Sequence, residues 1–193
     1  MPVQKLLFAT SNVHKLEEIR ALVPQSFEII GLKDVGFDEA IPETGQTFEE
    51  NALLKSRYLH RLFGGNVFSD DSGIEVEALE GRPGVFSARF AGEGASDAQN
   101  CSKLLDEMHS ESNRKARFVA VISLIYNNIE YSFKGEVRGR IAASPIGKNG
   151  FGYDPVFIPD GFDKTFGELP SAIKNRLSHR AVAVRKLVDF LSA

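Results

Sequence analysis

The sequence predicts an α/β protein in which helices flank a mixed β-sheet. A strand, a polar turn and a helix follow one another at the start. Two long β-rich segments meet at Asn127-Asn128, and a periodic apolar helix closes the chain. At 193 residues, 42% hydrophobic and 25% charged, the chain can bury a sizeable core, and no linker divides it, so residues 1–193 read as one domain.

Lys5 to Thr10 is a short apolar run suited to a buried strand. Ser11-Asn12 then turns into a helix carrying Val13, Leu16, Ile19 and Leu22 on one face. Phe27 to Ile30 reads as a second strand, followed by a loop through Pro42, Glu43, Thr44 and Gly45. Thr47-Phe-Glu-Glu50 is a capping box, in which hydroxyl and carboxylate each satisfy a helix-start N–H, so a helix runs from about residue 48 to Phe63 before Gly64-Gly65. Val67-Phe68-Ser69 is expected to form a brief strand that delivers Asp70-Asp71-Ser72-Gly73 to a turn. Ser96 with Gln99 marks a helix to about Met108. Ala116 to Tyr126 and Ile129 to Ile141 form a hairpin across the Asn pair. A Gly/Pro-rich loop from Ser144 to Pro155 leads to a strand at Val156 to Ile158 and the closing helix.

With 23 Lys and Arg against 26 Asp and Glu, the net charge is −3, and no basic block stands out. That excludes a surface that tracks nucleic acid by neutralising its phosphates, while leaving small phosphorylated ligands open. The longest apolar stretch, Phe118 to Tyr126, falls far short of the roughly 20 residues that span a bilayer, and the N-terminus lacks a signal-peptide layout, so no membrane partner is expected. Cys101 is the sole cysteine and the four histidines are dispersed without zinc-ligand spacing; a cytoplasmic protein fits.

Several segments can carry chemistry. Thr10, Ser11, Asn12, Val13, His14 and Lys15 lie where a strand ends and a helix begins, so free N–H groups, hydroxyls and an ammonium can converge on an anion. The plain alternative is an N-cap beside an exposed lysine. Glu43 and the Asp70-Asp71 pair offer hard oxygen ligands for Mg²⁺, against the alternative of ordinary turn chemistry. Adjacent strand residues face opposite ways, so only one of the two aspartates needs to face a ligand. Gly147 to Pro155 combines glycines that permit close approach with Phe151 and Tyr153, flat faces on which a base can stack; it can also be only a loop. Lys174 and His179 would lie about 140° apart on an unbroken helix. A break with Ser178 as N-cap places His179 and Arg180 in the first turn of the last helix.

Six ordered blocks join these segments: ATSNVHKLEE (9–18), ETGQTFEENALLKS (43–56), SDDSGIEVEAL (69–79), PGVFSARF (83–90), GKNGFGYDPVF (147–157) and IKNRLSHRA (173–181). Together they resemble the inosine triphosphate pyrophosphatase family over essentially the whole chain. Ser69 and Phe86 stand where that pattern frequently has alanine and tyrosine. The resemblance implies an elongated two-lobed α/β fold around a central mixed sheet, with a nucleotide cleft between the lobes, in a homodimer. It implies hydrolysis of ITP, dITP and XTP at the α–β phosphoanhydride to a monophosphate and pyrophosphate, cleansing the nucleotide pool of deaminated purines. By position, Thr10 to Lys15 would contact the triphosphate, with Lys15 also catalytic. Glu43 and Asp71 would hold Mg²⁺, and Asp71 would accept a proton from water. Ser72, Phe151, Gly152, Tyr153, Asp154, Lys174, His179 and Arg180 would contact the remainder of the substrate. The alternative is a non-catalytic purine nucleotide-binding protein, which needs no metal-bound carboxylate.

Overall fold

The structure is a computed structural model that describes residues 3–39 and 41–192. Its first strand, β1 (Gln4–Phe8), runs into the polar turn at Thr10-Ser11-Asn12. Asn12 holds an extended backbone and its Oδ1 accepts the Lys15 N–H at 3.1 Å, which starts helix α1 (Val13–Leu22). β2 (Phe27–Ile30) follows, then a 3-10 turn at Leu32–Val35. Helix α2 (Phe48–Phe63) has the anticipated capping box: Thr47 Oγ1 accepts the Glu50 N–H at 3.1 Å, and Glu50 Oε2 accepts the Thr47 N–H at 3.2 Å.

One expectation is corrected. Asp70-Asp71-Ser72-Gly73 is no turn but the middle of a continuous strand, β3 (Val67–Val76). Turn-prone residues stay extended here because lysine and arginine side chains from distant segments pair with the buried carboxylates.

Helix α3 (Asp97–Glu107) starts at its Ser96 cap. Strands β4 (Lys115–Tyr126) and β5 (Ile129–Ile141) are joined by Asn127 and Asn128, both left-handed at φ +50° and +64°, the two-residue turn that matches strand twist. After β6 (Phe157–Pro159), helix α4 (Ser171–Leu177) stops at Ser178, whose extended backbone makes the expected break, and α5 (His179–Ser192) closes the chain. The strand order is β2-β1-β3-β4-β5-β6. β1 runs parallel to β2 and β3, and β5 antiparallel to β6, so the sheet is mixed as predicted.

The chain divides into two compact units. The first takes the chain up to Asp71, Ala120–Gly135 and the chain from Arg180 onward; the second takes Ser72–Val119 and Glu136–His179. In the first unit, the period-2 alternation of β1 sends Leu6 and Phe8 to one face and Leu7 and Ala9 to the other. Leu6 and Phe8 pack with Ile19 of α1, Phe68 of β3, and Ala183, Val184 and Leu187 of α5. Leu7 and Ala9 pack with Val67 and with Leu59 of α2. The second unit has its own core, in which Ile74, Leu104, Met108, Phe118, Phe157 and Phe166 meet. Burying each such side chain contributes about 1.5–3 kcal/mol.

Candidate active site

Strand parity sorts the two aspartates of β3. Asp70 shares the parity of Phe68 and faces the side covered by α1 and α5. Asp71 shares that of Val67 and Ser69 and faces α2. Ser69 itself donates its hydroxyl to the Ala52 carbonyl of α2 at 2.5 Å, so the serine is a buried tie between strand and helix.

On the α2 side, Lys55 Nζ lies 2.6 Å from Glu43 Oε1 and 3.1 Å from Asp71 Oδ1, so one ammonium bridges both carboxylates. Asn51, one helical turn earlier, donates Nδ2 to Asp71 Oδ2 at 3.2 Å, while its Oδ1 accepts the Gly45 N–H at 2.8 Å. Gly45 has no substitute: a Cβ there would meet Glu50 Cβ at 2.7 Å and Asn51 Oδ1 at 2.8 Å. Burial lifts the Asp71 carboxyl above the ordinary range against the pull of Lys55 and Lys15. For Lys55, burial works to lower the pKa, but Asp71 and Glu43 outweigh it and raise the value, which keeps the ammonium charged.

On the other side, Asp70 is buried between two cations, with Lys15 Nζ 3.0 Å from Oδ1 and Arg180 Nε 3.2 Å from Oδ2. A further Arg180 nitrogen contacts Glu18 of α1. Burial alone would raise the Asp70 carboxyl; Lys15 and Arg180 hold it well below the usual carboxylate range. Burial lowers the Lys15 pKa, and Asp70 only partly offsets it. Thr10, whose Oγ1 accepts the Asn12 N–H at 3.2 Å, is half-buried, and Ser11, Asn12, Val13 and His14 are exposed at the start of α1.

In the second unit, Asp154 Oδ2 accepts the Phe151 N–H at 2.8 Å and pairs with Lys174 Nζ at 2.5 Å. The same ammonium stands 4.6 Å from the centroid of the Phe151 ring. Gly150, at φ +74°, is obligatory, since a Cβ would lie 1.9 Å from Asp154 Oδ2. Tyr153 is buried, and its hydroxyl donates to the Ser87 carbonyl at 2.8 Å, which props the loop from below. His179 stacks on Phe118 with centroids 4.7 Å apart. Ser72 is half-buried in β3. Phe86 is 56% exposed and carries the Arg89 guanidinium 5.3 Å above its ring.

Within the first unit the fold thus gathers Glu43 and Asp71 at Lys55 on one face of β3 and Lys15 and Arg180 at Asp70 on the other, and within the second it gathers Phe151, Asp154 and Lys174. Sequence reasoning missed Lys55, Asn51 and Glu18. Lys55 did leave a signal, because it shares a helical face with Ala52, Ser56 and Leu59, where a lysine has no solvent to reach. Among the described residues no group of three or more His, Cys, Asp or Glu is arranged to hold a metal alone. Two carboxylates converging on one positive point are nevertheless a donor set suited to a hard divalent cation that also takes phosphate and water oxygens.

The fold is a mixed-sheet α/β protein in which one buried lysine bridges two carboxylates. Residues 6–190 match the Ham1 family. The dITP/XTP pyrophosphatases of Flavobacterium johnsoniae and Porphyromonas gingivalis are 47% and 48% identical to the chain, each over 98% of both sequences. The Staphylococcus aureus Ham1 protein superposes with a TM-score of 0.89 at 41% identity, and a Coxiella burnetii HAM1 protein with 0.90 at 36%, both covering 98% of each chain. The chain belongs to the Ham1 family.

Proposed function

We propose that the chain hydrolyses purine nucleoside triphosphates with non-standard bases, ITP, dITP and XTP, at the α–β phosphoanhydride, releasing a nucleoside monophosphate and pyrophosphate. The observation that carries this reading is the convergence of Glu43 and Asp71 on one cationic point, in a chain nearly half identical to dITP/XTP pyrophosphatases. The whole chain acts as one catalytic domain of a cytoplasmic homodimer.

Glu43 and Asp71 would hold Mg²⁺, which, when bound, supplies positive charge against the polyphosphate. Lys15 and the N–H groups and hydroxyls from Thr10 to His14 grip the phosphates. Lys55, charged between the two acids, adds an ammonium on the Asp71 face of β3. Asp71 accepts the proton of the attacking water. Asn51 holds Asp71 in orientation through its amide. Ser72 and Arg180 contact the substrate, while the Phe151 ring, with Gly152, Tyr153, Asp154, Lys174 and His179, receives the base and sugar. Inosine and xanthosine present an oxo group at purine position 6 where adenosine presents an amine. Buried donors matched to that oxygen are left unpaired by adenine, which disfavours it strongly.

Incubation with ITP and Mg²⁺, followed by product analysis, tests the reading. Equal amounts of inosine monophosphate and pyrophosphate are expected. Orthophosphate release would overturn the cleavage site, and calorimetric binding of ITP without any turnover would make the protein a binder.

A further inference from the structure

The loop at residues 150–154 is gripped by more than its own side chains. Asp97 is the first residue of α3 and Cys101 lies one turn later on the same face. Asp97 Oδ2 accepts the Gly152 N–H at 2.6 Å, and Cys101 Sγ donates to the Gly152 carbonyl at 3.3 Å. One helix face thus takes both backbone polar groups of a single loop residue, which itself sits at φ +60°. Cys101 is buried, and burial followed by Asp97 and Asp154 pushes its thiol up to about 12, so the donor hydrogen stays in place. The preceding peptide is pinned separately, by the Phe151 N–H to Asp154. The backbone is therefore fixed on both sides of the Phe151 side chain, with Lys174 against the ring.

We propose that Asp97 and Cys101 are positioning residues whose clamp on Gly152 fixes the Phe151 ring as the platform for the purine. The proposal rests on the reading of Phe151 to Asp154 as the base-contacting segment. Neither residue touches the reacting phosphates; they act through the loop. Of the two, Asp97 carries more, since a charged acceptor makes a stronger hydrogen bond than a thiol donor.

The test compares Asp97→Ala, Asp97→Asn and Cys101→Ala. Asp97 is solvent-exposed, so its replacement leaves the core untouched. Asparagine keeps an acceptor oxygen and removes only the charge. The clamp predicts that Asp97→Ala raises KM for ITP about 3- to 10-fold and keeps kcat within about twofold. It also predicts that Asp97→Asn falls between wild type and Asp97→Ala, because it keeps the acceptor and loses the charge, and that Cys101→Ala moves the same way as Asp97→Ala by less. Hydrogen exchange of the segment around Gly152, without nucleotide, should accelerate in Asp97→Ala and less in Asp97→Asn. Equal effects of Ala and Asn would assign Asp97 to the helix-start charge and overturn the clamp, as would unchanged exchange and KM in Asp97→Ala. If the wild-type protein releases no pyrophosphate from any purine triphosphate, the functional reading fails, and the exchange experiment still decides the clamp.

Discussion

Replacing Asp70 by asparagine removes one charge from a buried ionic cluster while keeping its shape. The Asp70 side chain is fully buried, with Lys15 at 3.0 Å and Arg180 at 3.2 Å, and Arg180 is itself 2% exposed. After the change, Arg180 keeps Glu18 but Lys15 loses its paired carboxylate. Breaking a buried ion pair from one side costs about 3–5 kcal/mol. At about 2–4 °C per kcal/mol for a chain of this size, the melting temperature should fall by roughly 6–20 °C. The pH dependence has a defined sign. The folded-state pKa of Asp70 is depressed, so its stabilisation is fully present above the unfolded value of about 4 and is lost as pH falls toward the folded one. Urea and thermal denaturation of wild type and Asp70→Asn should show the full gap at pH 7 and a narrowing gap below about pH 4. Adding Lys15→Met should recover part of the loss. A gap under about 1 kcal/mol, well short of the cost of a broken buried pair, or one that does not change with pH, would refute the ionic account of this cluster.

Three further outcomes follow from the same geometry. Asp71→Asn should lower kcat at least about 100-fold with circular dichroism unchanged; near-normal turnover would remove Asp71 as proton acceptor. Lys55→Met strips the shared cation from Glu43 and Asp71, so Mg²⁺ without nucleotide should raise its melting temperature more than it raises that of wild type; an equal response would mean that Mg²⁺ does not bind between the two acids. Ser56 Oγ donates to the Leu53 carbonyl and so accepts from Ser123 Oγ at 2.8 Å. Ser56→Ala should therefore cost about 1–3 kcal/mol by orphaning the buried Ser123 hydroxyl. Ser123→Ala should cost less, and the double variant less than the sum, by urea titration.

What was legible in the sequence was local chemistry. The capping box at Thr47 and Glu50 set the start of α2, Asn127-Asn128 set the hairpin turn, and the angular conflict between Lys174 and His179 located the break at Ser178. Each depends on neighbours within a few positions. The extended course of β3 through its acidic pair was not legible, because what stabilises it is distant: Lys55 lies 16 positions from Asp71 and Arg180 lies 110 positions from Asp70. The same separation hid Glu18 and Asn51, whose roles arise only when α5 and α2 pack on the sheet. Conversely, the opposite-facing rule for adjacent strand residues, applied to Asp70 and Asp71, correctly assigned them different surroundings even though the expected turn was a strand. The 3-10 turn at Leu32–Val35 had no apolar periodicity to announce it.

Steady-state kcat/KM for ITP, dITP, XTP, GTP and ATP with Mg²⁺, read by pyrophosphate release, tests the central claim most directly. The account predicts one pyrophosphate per nucleoside monophosphate formed, with ITP, dITP and XTP turned over far more efficiently than ATP. Equal efficiency across all five, or phosphate released in place of pyrophosphate, would contradict it.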